Sequence, residues 1–318
     1  MSALVSVIIP CRNGAAWLGQ AIESCLGQSW REVEIIVVDN GSSDASIEVA
    51  RRYAGRPIAV LECALPGASA ARNCGLARAK GDFVQFLDAD DVIDCSKIAR
   101  QMARLETASS RSIASGAWAR FRDDPSEARF AAEAVWCDLA PEKFLIASWL
   151  GGGMMPNFAW LAPRAVIDAA GPWDESLSVN DDGEFFCRVA LGSSGVIFCP
   201  DARGYYRTGA DATLSRRRDR AALESAYRAI ELSVDRLLAR CQSSSDAAAA
   251  CAAQYQRFIY DTFPAAPDLV ARAEARVAAL GGSNLGIGGG RAFRAISRCL
   301  GWKAARRCQF GWRGLAAS

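Results

Sequence analysis

Short, almost continuously apolar runs alternate with amphipathic segments through the first third of the chain. The runs are Leu4–Pro10, Val33–Asn40, PIAVLEC at 57–63 and DFVQFL at 82–87, and helix-like segments such as AAWLGQAIESCLGQ separate them. Strands buried on both faces have this composition, and helical crossovers make neighbouring strands parallel. The pattern therefore predicts an α/β fold with a mostly parallel sheet flanked by helices.

Polar residues follow the predicted strands at their carboxyl ends. These segments are Pro10 to Asn13, Asp39 to Asp44 and Asp88 to Asp91. Open α/β sheets bind their ligands outside this edge of the sheet. The sequence therefore predicts that the three segments converge on one crevice.

The carboxylates of Asp88, Asp90 and Asp91 follow the fourth apolar run within four positions. Clustered carboxylates repel one another unless a cation neutralises them, and hard oxygen ligands suit a Mg²⁺ or Mn²⁺ ion that also holds a phosphate. Strand alternation places Asp88 and Asp90 on the same side. A metal site is favoured here, and a turn leading into the helix that begins near Ser96 is the alternative.

The chain contains no histidine. This excludes Ser-His-Asp and Cys-His catalysis, histidine-ligated zinc and a histidine general base, so carboxylates, a metal, Tyr, Lys or Cys must carry any chemistry. The first strand is followed by PCRNGAAW, which has a single glycine, and no G-K-S/T sequence opens a helix. Dinucleotide-binding and P-loop functions are therefore disfavoured.

The composition is that of a globular enzyme. The 318 residues are 51% hydrophobic, and no stretch approaches the length of an apolar membrane span. The N-terminal segment lacks a basic start and a small-residue cleavage site, so we expect a cytoplasmic protein. The twelve cysteines include no C-x-x-C pair and are expected to be reduced.

Four ordered motifs carry a family resemblance. They are VSVIIPCRNGAAWLGQAIES, EIIVVDNGSSD, ARNCGLARAKGDFVQFLDADD and GPWDESLSVNDDGEFFCRV, within a region from residue 5 to about residue 216. The chain resembles the family 2 glycosyltransferases, which have the GT-A (nucleotide-diphospho-sugar transferase, Rossmann-like) fold. The resemblance implies transfer of a sugar, with inversion, from a nucleotide diphosphate-sugar such as a UDP-sugar to a hydroxyl of a polysaccharide, oligosaccharide or lipid-linked acceptor.

The resemblance also implies a donor site. Asp39 would hydrogen-bond the nucleobase, and Arg72 would contact the base or the diphosphate. Asp88 and Asp90 would form the D-x-D pair, with Asp90 as the direct ligand of Mn²⁺ or Mg²⁺. The expected nucleotide contacts are Pro10, Arg12, Asn13, Asp39, Ser42, Arg72, Asp88 and Ala89. An Asx turn at Asp39 and an exposed helix-surface position for Arg72 are the alternatives.

Two neighbouring carboxylates are candidates for the catalytic base. Asp181 and Asp182 open a predicted helix, and without histidine a carboxylate must take the proton of an acceptor hydroxyl. Counting back six residues from Arg188 places Asp182 at the position of the family's acidic base, and Asp181 is the second candidate. Ordinary helix capping by these acidic side chains is the alternative.

Other candidate contacts are less strongly indicated. The family often has a histidine after a Tyr-Arg pair, where this chain has Gly209, so the third metal ligand is unidentified; Asp211 or water could replace it. Asn157, Trp160 and Arg207 are candidate contacts of the donor or acceptor sugar or of the diphosphate. For Trp160 a position in the core is an equal alternative.

The chain divides into three predicted parts. A GT-A domain covers residues 1–218, with a nucleotide-binding half at 1–100 and an acceptor-binding half at 101–218, and a helical extension covers 219–280. A glycine-rich linker and a basic amphipathic tail cover 281–318, where Phe293, Ile296, Leu300 and Ala304 share one face and Trp302 and Trp312 are candidate interfacial anchors.

Binding of the tail to an anionic membrane surface, on the inner face of the cell membrane, is favoured over packing or a homo-oligomer contact, and nucleic acid is disfavoured. A non-catalytic nucleotide-sugar-binding or membrane-surface scaffold protein is the alternative function.

Overall fold

The computed structural model describes residues 2–209, 217–288 and 290–307. Within those ranges the strands are β1 Val5–Cys11, β2 Val33–Asp39, β3 Ile58–Glu62, β4 Phe83–Phe86, β5 Val92–Ile93, β6 Ile113–Phe121, β7 Ala162–Pro163 and β8 Val196–Arg207. The α-helices are α1 Leu18–Leu26, α2 Ser46–Arg51, α3 Ala68–Arg78, α4 Lys97–Leu105, α5 Pro141–Ala147, α6 Arg164–Ala170, α7 Asp181–Gly192, α8 Arg220–Arg240, α9 Ser245–Thr262, α10 Pro267–Ala279 and α11 Arg291–Leu300.

The main sheet has the strand order β3-β2-β1-β4-β7. Strands β1 to β4 are parallel, and the short β7 is antiparallel to β4. Val5 of β1 pairs with Val33 of β2 and with Phe83 of β4, so β1 lies at the centre, which explains its continuous apolar run. The predicted α/β fold with a mostly parallel sheet is confirmed, and the strand-end segments at Cys11, Asp39 and Asp88 lie at one edge.

A second sheet, with the order β5-β8-β6, was not predicted from the sequence. Strands β6 and β8 are parallel, with a register shift between Gly116 and Trp118. A Cβ atom at Gly116 would clash with the carbonyl oxygen of Ala202 in β8, so a glycine is required at this point of the strand pairing. This sheet carries Arg207, the last residue of β8, to the segment that follows β4.

An aromatic cluster joins β4 to α7. Trp173 stacks on Phe185 with ring centroids 4.0 Å apart, and Phe86 meets both rings edge-on at 5.1 and 5.7 Å. Such pairs add roughly 1 kcal/mol each to the stabilisation from burying their apolar area. Because Phe86 lies two residues before Asp88 and Phe185 three residues after Asp182, this packing holds the two acidic segments together.

The helical extension does not form a separate core. Leu223 and Tyr227 of α8 and Tyr255 of α9 belong to the same buried cluster as Phe144 of α5 and Phe185 of α7. Helix α8 packs on α7, and α9 packs on α5 and α8. The boundary at residue 218 stays a prediction, although apolar packing is continuous across it.

The described part of the basic tail packs on the extension. Phe293 is buried, and the Trp302 ring lies 4.9 Å from Tyr260 and 5.4 Å from Phe263, measured between centroids. Phe293, which belongs to the predicted apolar face of the tail helix, is therefore covered by the protein itself. Leu300 belongs to the same face and is 70% exposed. Trp312 lies outside the described residues, and membrane binding stays a prediction. Across residues 2–209, 217–288 and 290–307, none of the helices has the length and apolar character needed to span a membrane.

Lys97, at the start of α4, is fully buried without a carboxylate partner in the described chain. Its Nζ donates to Oε1 of Gln85 at 2.8 Å and to Oε1 of Gln101 at 2.7 Å. Gln101 in turn donates to the carbonyl oxygen of Ala159 at 2.8 Å, in the turn that carries Asn157. Burial lowers the pKa of Lys97 from 10.5 to about 7. The charged lysine is thus disfavoured in the folded protein.

We expect the urea midpoint of unfolding to rise from about pH 7 to about pH 9 less steeply in Lys97→Met than in the native protein. In this window the unfolded chain keeps the Lys97 proton that the folded chain has released, so higher pH favours folding. Burial raises the pKa of Cys25 and Cys199, and these thiols act in the opposite direction. Only the difference between native protein and variant therefore isolates Lys97. Lys80→Met, at an exposed position, is the matched control and should keep the native slope.

Candidate active site

The three clustered carboxylates have different surroundings. Asp88 Oδ1 accepts a hydrogen bond from Nη2 of Arg72 at 2.9 Å, and Asn157 Nδ2 lies 3.3 and 3.1 Å from the two oxygens of Asp88. Asp91 is buried and accepts from the backbone N–H of Arg207 at 2.8 Å. Asp90 receives no hydrogen bond on its carboxylate from another residue of the described chain. Burial, and then repulsion by Asp88, raises the pKa of Asp90 to about 6.

Arg72 connects the two halves of the site. Its side chain is 6% exposed, which excludes the alternative of an exposed helix-surface arginine. Nη1 donates to Oδ2 of Asp181 at 2.9 Å while Nη2 contacts Asp88, and the guanidinium lies 4.4 Å from the centroid of the Trp173 ring. A buried guanidinium that donates one hydrogen bond to each of two carboxylates is a strong and directional contact. It links the end of β4 with the start of α7.

Asp181 and Asp182 are not equivalent. Asp181 Oδ2 accepts from both Arg72 and Ser69, each at 2.9 Å. The hydrogen bond to Asp182 is from the neighbouring N–H of Gly183, at 2.8 Å. Burial, and then the charge of Asp181, raises the pKa of Asp182 to about 6. Asp181 is therefore held in an ion pair, whereas Asp182 forms none with any residue of the described chain.

The two carboxylate oxygens of Asp39 have different surroundings, and one of them forms the predicted turn. Its Oδ2 accepts from the N–H groups of Gly41 and Ser42, both at 3.1 Å, which makes an Asx turn. The residue is 4% exposed, and Oδ1 is buried with no hydrogen-bond partner among the described residues. A buried acceptor without a donor is costly. This oxygen is suited to receive an N–H group from a bound nucleobase.

Asn13 and Ser42 connect the turns that follow β1 and β2. The N–H of Asn13 donates to Oγ of Ser42 at 2.9 Å, and the N–H of Ser43 donates to Oδ1 of Asn13 at 2.7 Å. Asn13 has a φ of 55°, a left-handed conformation that asparagine tolerates well. These side chains shape the crevice edge. Of the other expected nucleotide contacts, Pro10 is half-buried at the end of β1, Arg12 is exposed and Ala89 lies half-buried between Asp88 and Asp90.

Two of the candidate sugar contacts are buried side chains. Trp160 is 3% exposed, stacks on Phe186 at 5.3 Å and meets Phe144 edge-on at 5.2 Å, so its ring is not available to stack on a sugar. Arg207 is 4% exposed, and its Nε donates to the carbonyl oxygen of Asp90 at 2.7 Å. Trp160 is thus a core residue, and Arg207 positions the carboxylate segment through its contact with the backbone of Asp90.

Several residues of this site were not predicted. Ser69 holds Asp181, Trp173 covers the guanidinium of Arg72, and Gln20 accepts a hydrogen bond from Arg207. The motif GPWDES contains Trp173 immediately before an acidic segment, and that aromatic residue was the one available signal. Ser69 and Gln20 act through contacts with residues more than one hundred positions away, which local sequence does not reveal.

The described residues contain no group of three or more His, Cys, Asp or Glu side chains that could hold a metal ion. The candidate third ligand Asp211 lies outside the described residues. The partly hidden carboxylate of Asp90, which forms no ion pair within the described ranges, nevertheless fits a divalent ion, with Asp88 beside it. Mg²⁺ and Mn²⁺ commonly complete their coordination with water and substrate phosphates, so two protein carboxylates are a sufficient anchor.

The strand-end carboxylates, the buried oxygen of Asp39 and the carboxylates at the start of α7 are carried by an α/β sheet of the GT-A fold. Residues 6–160, a little under half of the chain, match the family model described as Glycosyl transferase family 2, so this segment is a domain of that family.

Among relatives, the uncharacterized glycosyltransferase RP339 of Rickettsia prowazekii is 32% identical over 201 residues, 61% of this chain and 60% of its own length. UDP-Glc:alpha-D-GlcNAc-diphosphoundecaprenol beta-1,3-glucosyltransferase WfaP of Escherichia coli is 36% identical over 105 residues, 33% of this chain and 42% of its own length. The chain thus spans less than two thirds of either relative.

Two solved structures share the fold. Staphylococcus aureus TarS 1-349 in complex with UDP-GlcNAc has a TM-score of 0.61 at 16% identity and covers 87% of this chain and 89% of its own. Mannosyltransferase PcManGT from Pyrobaculum calidifontis in complex with GDP-Man and Mn²⁺ has a TM-score of 0.54 at 17% identity and covers 100% of this chain and 81% of its own. At such low identity these likenesses establish the fold alone.

Proposed function

We propose that the protein is a metal-dependent, inverting glycosyltransferase. It moves a sugar from a nucleotide diphosphate-sugar, a UDP-sugar foremost, to a hydroxyl of a polysaccharide, oligosaccharide or lipid-linked acceptor. The observation that carries the proposal is the Asp88–Arg72–Asp181 ion-pair chain, with both contacts at 2.9 Å. Because Asp182 follows Asp181 directly, these contacts support the assignment of the D-x-D segment and the candidate base Asp182 to one site. The UDP-Glc donor named for WfaP supports a uridine donor.

Each residue would have one role. Asp39 Oδ1 would accept the ring N–H of the base, and Asp90 with Asp88 would hold Mn²⁺ or Mg²⁺. When bound, the ion supplies positive charge to the leaving diphosphate. Asp182 would take the proton of the acceptor hydroxyl while that oxygen attacks the anomeric carbon from the face opposite the nucleotide. The new C–O bond forms as the bond to the diphosphate breaks, and the nucleoside diphosphate leaves with the electron pair.

Binding of nucleotides tests the donor assignment. Isothermal titration of UDP, GDP and dTDP, each with and without Mn²⁺, should show the tightest binding for UDP with Mn²⁺. Asp39→Asn is expected to weaken UDP binding by about tenfold, because it replaces an acceptor for the base N–H with a mixed amide group. Tighter binding of GDP than of UDP would assign a different donor. Binding of none of the three nucleotides would overturn the proposed function.

The pKa of Asp182 sets an expected pH profile. A base must be ionised, so kcat/KM for transfer should rise with pH through about 6 and level off above it. The rates should be measured with saturating Mn²⁺, because Asp90 has a similar pKa and a bound cation keeps it ionised. A profile that is flat from about pH 5 to about pH 8 would contradict the assignment of Asp182 as the base.

The place of action is also a proposal. A lipid-linked acceptor and a basic tail both favour sugar transfer at the cytoplasmic face of the membrane, with the protein bound peripherally. Leu300, Arg294 and Arg298 are exposed on α11 and could meet anionic lipid, whereas Phe293 and Trp302 pack on the extension. Within residues 290–307, the tail would therefore bind lipid through its charges more than through inserted rings.

A further inference from the structure

The proposed mechanism makes no use of a buried polar network beside the strand that leads to Asp88. The network consists of Gln85 in β4 and of Lys97 and Gln101 in α4, and none of the three residues is exposed to solvent. Lys97 Nζ donates to Oε1 of Gln85 at 2.8 Å and to Oε1 of Gln101 at 2.7 Å. Burying polar groups is costly, and what they provide in return is a fixed orientation of each member.

The Gln101 amide can point in only one direction. Lys97 Nζ has N–H donors in both of its protonation states, so the amide oxygen of Gln101 faces it. The amide nitrogen, Nε2, then donates to the carbonyl oxygen of Ala159 at 2.8 Å and lies 3.5 Å from the carbonyl oxygen of Ala114. The reverse orientation would bring oxygen against oxygen at both carbonyls. Lys97 therefore orients the amide that holds Ala159.

Ala159 belongs to the turn that carries Asn157. The residues of this turn, Asn157 to Ala159, are 4%, 0% and 1% exposed. Asn157 Nδ2 lies 3.3 and 3.1 Å from the two oxygens of Asp88, and Nη2 of Arg72 donates to Oδ1 of the same carboxylate at 2.9 Å. A carboxylate with donors from two side chains has a fixed plane. The position of the turn therefore determines how Asp88 is presented to a ligand.

We propose that Gln101, oriented by Lys97, is a positioning residue of the donor site. Through the turn and Asn157 it fixes the carboxylate of Asp88 in the orientation that binds the nucleotide with its metal ion. The inference rests on the proposed function and adds to it a support that lies outside the crevice. Such support is needed because binding groups must be held to within about 0.5 Å of their productive positions.

Gln101→Met keeps a side chain of similar size and removes both hydrogen bonds of the amide. We expect it to weaken UDP binding in the presence of Mn²⁺ by about tenfold. Asn157→Ala, which removes the contact with Asp88 itself, should weaken binding by about tenfold as well. If Gln101 acts through Asn157, the double variant should lie within about twofold of Asn157→Ala. A double variant that shows the product of the two single losses overturns the proposal, because Gln101 then acts independently of Asn157.

Leu105→Ala is the control for a general loss of stability. Leu105 is a buried apolar residue of the same helix, α4. Both Leu105→Ala and Gln101→Met should lower the urea midpoint of unfolding, but Leu105→Ala should bind UDP with Mn²⁺ within about twofold of the native affinity. Equal weakening of UDP binding by the two variants would show that loosening of α4 is the cause, and the proposal would fail.

Hydrogen exchange, measured by NMR without nucleotide, tests the positioning independently of the donor assignment. The N–H of Ala159 donates to the carbonyl oxygen of Pro156 at 2.9 Å, and the N–H of Asp91 donates to that of Asp88 at 3.1 Å. In Gln101→Met both amides should exchange about tenfold faster than in the native protein. Unchanged exchange at Asp91 would overturn the positioning role even if UDP binds. If the native protein binds no UDP and both amides exchange faster in the variant, the donor assignment fails and the positioning of Asp88 stands.

Discussion

Asp182→Asn is expected to lower the rate of sugar transfer by about 10²- to 10⁴-fold, the usual contribution of a positioned general base. The amide cannot accept the acceptor proton, yet it is nearly the same size and leaves the Arg72 ion pairs in place. The affinity for UDP with Mn²⁺ should therefore stay within about twofold of the native value. Single-turnover transfer assays and calorimetry on the same preparation check both halves of the prediction.

Asp181→Asn distinguishes the roles of the two neighbouring carboxylates. It removes a charged partner of Arg72 at 2.9 Å, so it should weaken donor binding and lower stability, and the loss of transfer should be accompanied by these changes. If Asp181→Asn instead stops transfer with normal UDP binding while Asp182→Asn remains active, Asp181 is the base. If both variants bind UDP and neither they nor the native protein transfers sugar, a non-catalytic nucleotide-sugar-binding function is favoured.

Asp90→Asn is expected to remove the Mn²⁺ dependence of UDP binding. Loss of a direct carboxylate ligand should weaken metal affinity by at least about 100-fold, since even supporting residues around a metal contribute 10- to 100-fold. Calorimetry of UDP with and without Mn²⁺ should give equal, weak affinities in this variant. The exposed Asp246→Asn is the matched control and should behave as the native protein.

Thermal unfolding distinguishes the loss of a metal ligand in Asp90→Asn from misfolding of the variant. The pKa of Asp90 is raised by burial and by Asp88, so its charged form is disfavoured in the folded protein at neutral pH. Without metal, Asp90→Asn should therefore melt at the same or a higher temperature than the native protein. A lower melting temperature together with retained Mn²⁺-dependent binding would contradict the assignment of Asp90 as a ligand.

Much of the part of the fold that carries the candidate donor site could be predicted from local sequence. The apolar runs predicted β1 to β4 and their parallel order, since strands buried on both faces need uninterrupted apolar residues. The same pattern placed Asp39 and Asp88 at strand ends, and the acidic first turn predicted the helix that begins at Asp181. These features depend on residues within a few positions of one another.

The environments of individual side chains were less predictable. Trp160 follows a glycine-rich turn that could have displayed it, but packing against Phe144 and Phe186 buries it. The tail has the periodicity of a membrane-surface helix, yet Phe293 is buried against the protein itself. Amphipathic periodicity shows that one face must be covered and does not identify what covers it.

The sequence by itself determined which residues carry the chemistry and where they lie along the chain. It shows apolar strands, acidic residues at their carboxyl ends and no histidine to act in place of those residues. Only the tertiary structure decided that Arg72 holds Asp88, 16 positions away, and Asp181, 109 positions away, at the same time. The reason is physical. Secondary structure responds to contacts between near neighbours, whereas a buried guanidinium between two carboxylates exists only after α3, β4 and α7 have packed around the Trp173 ring.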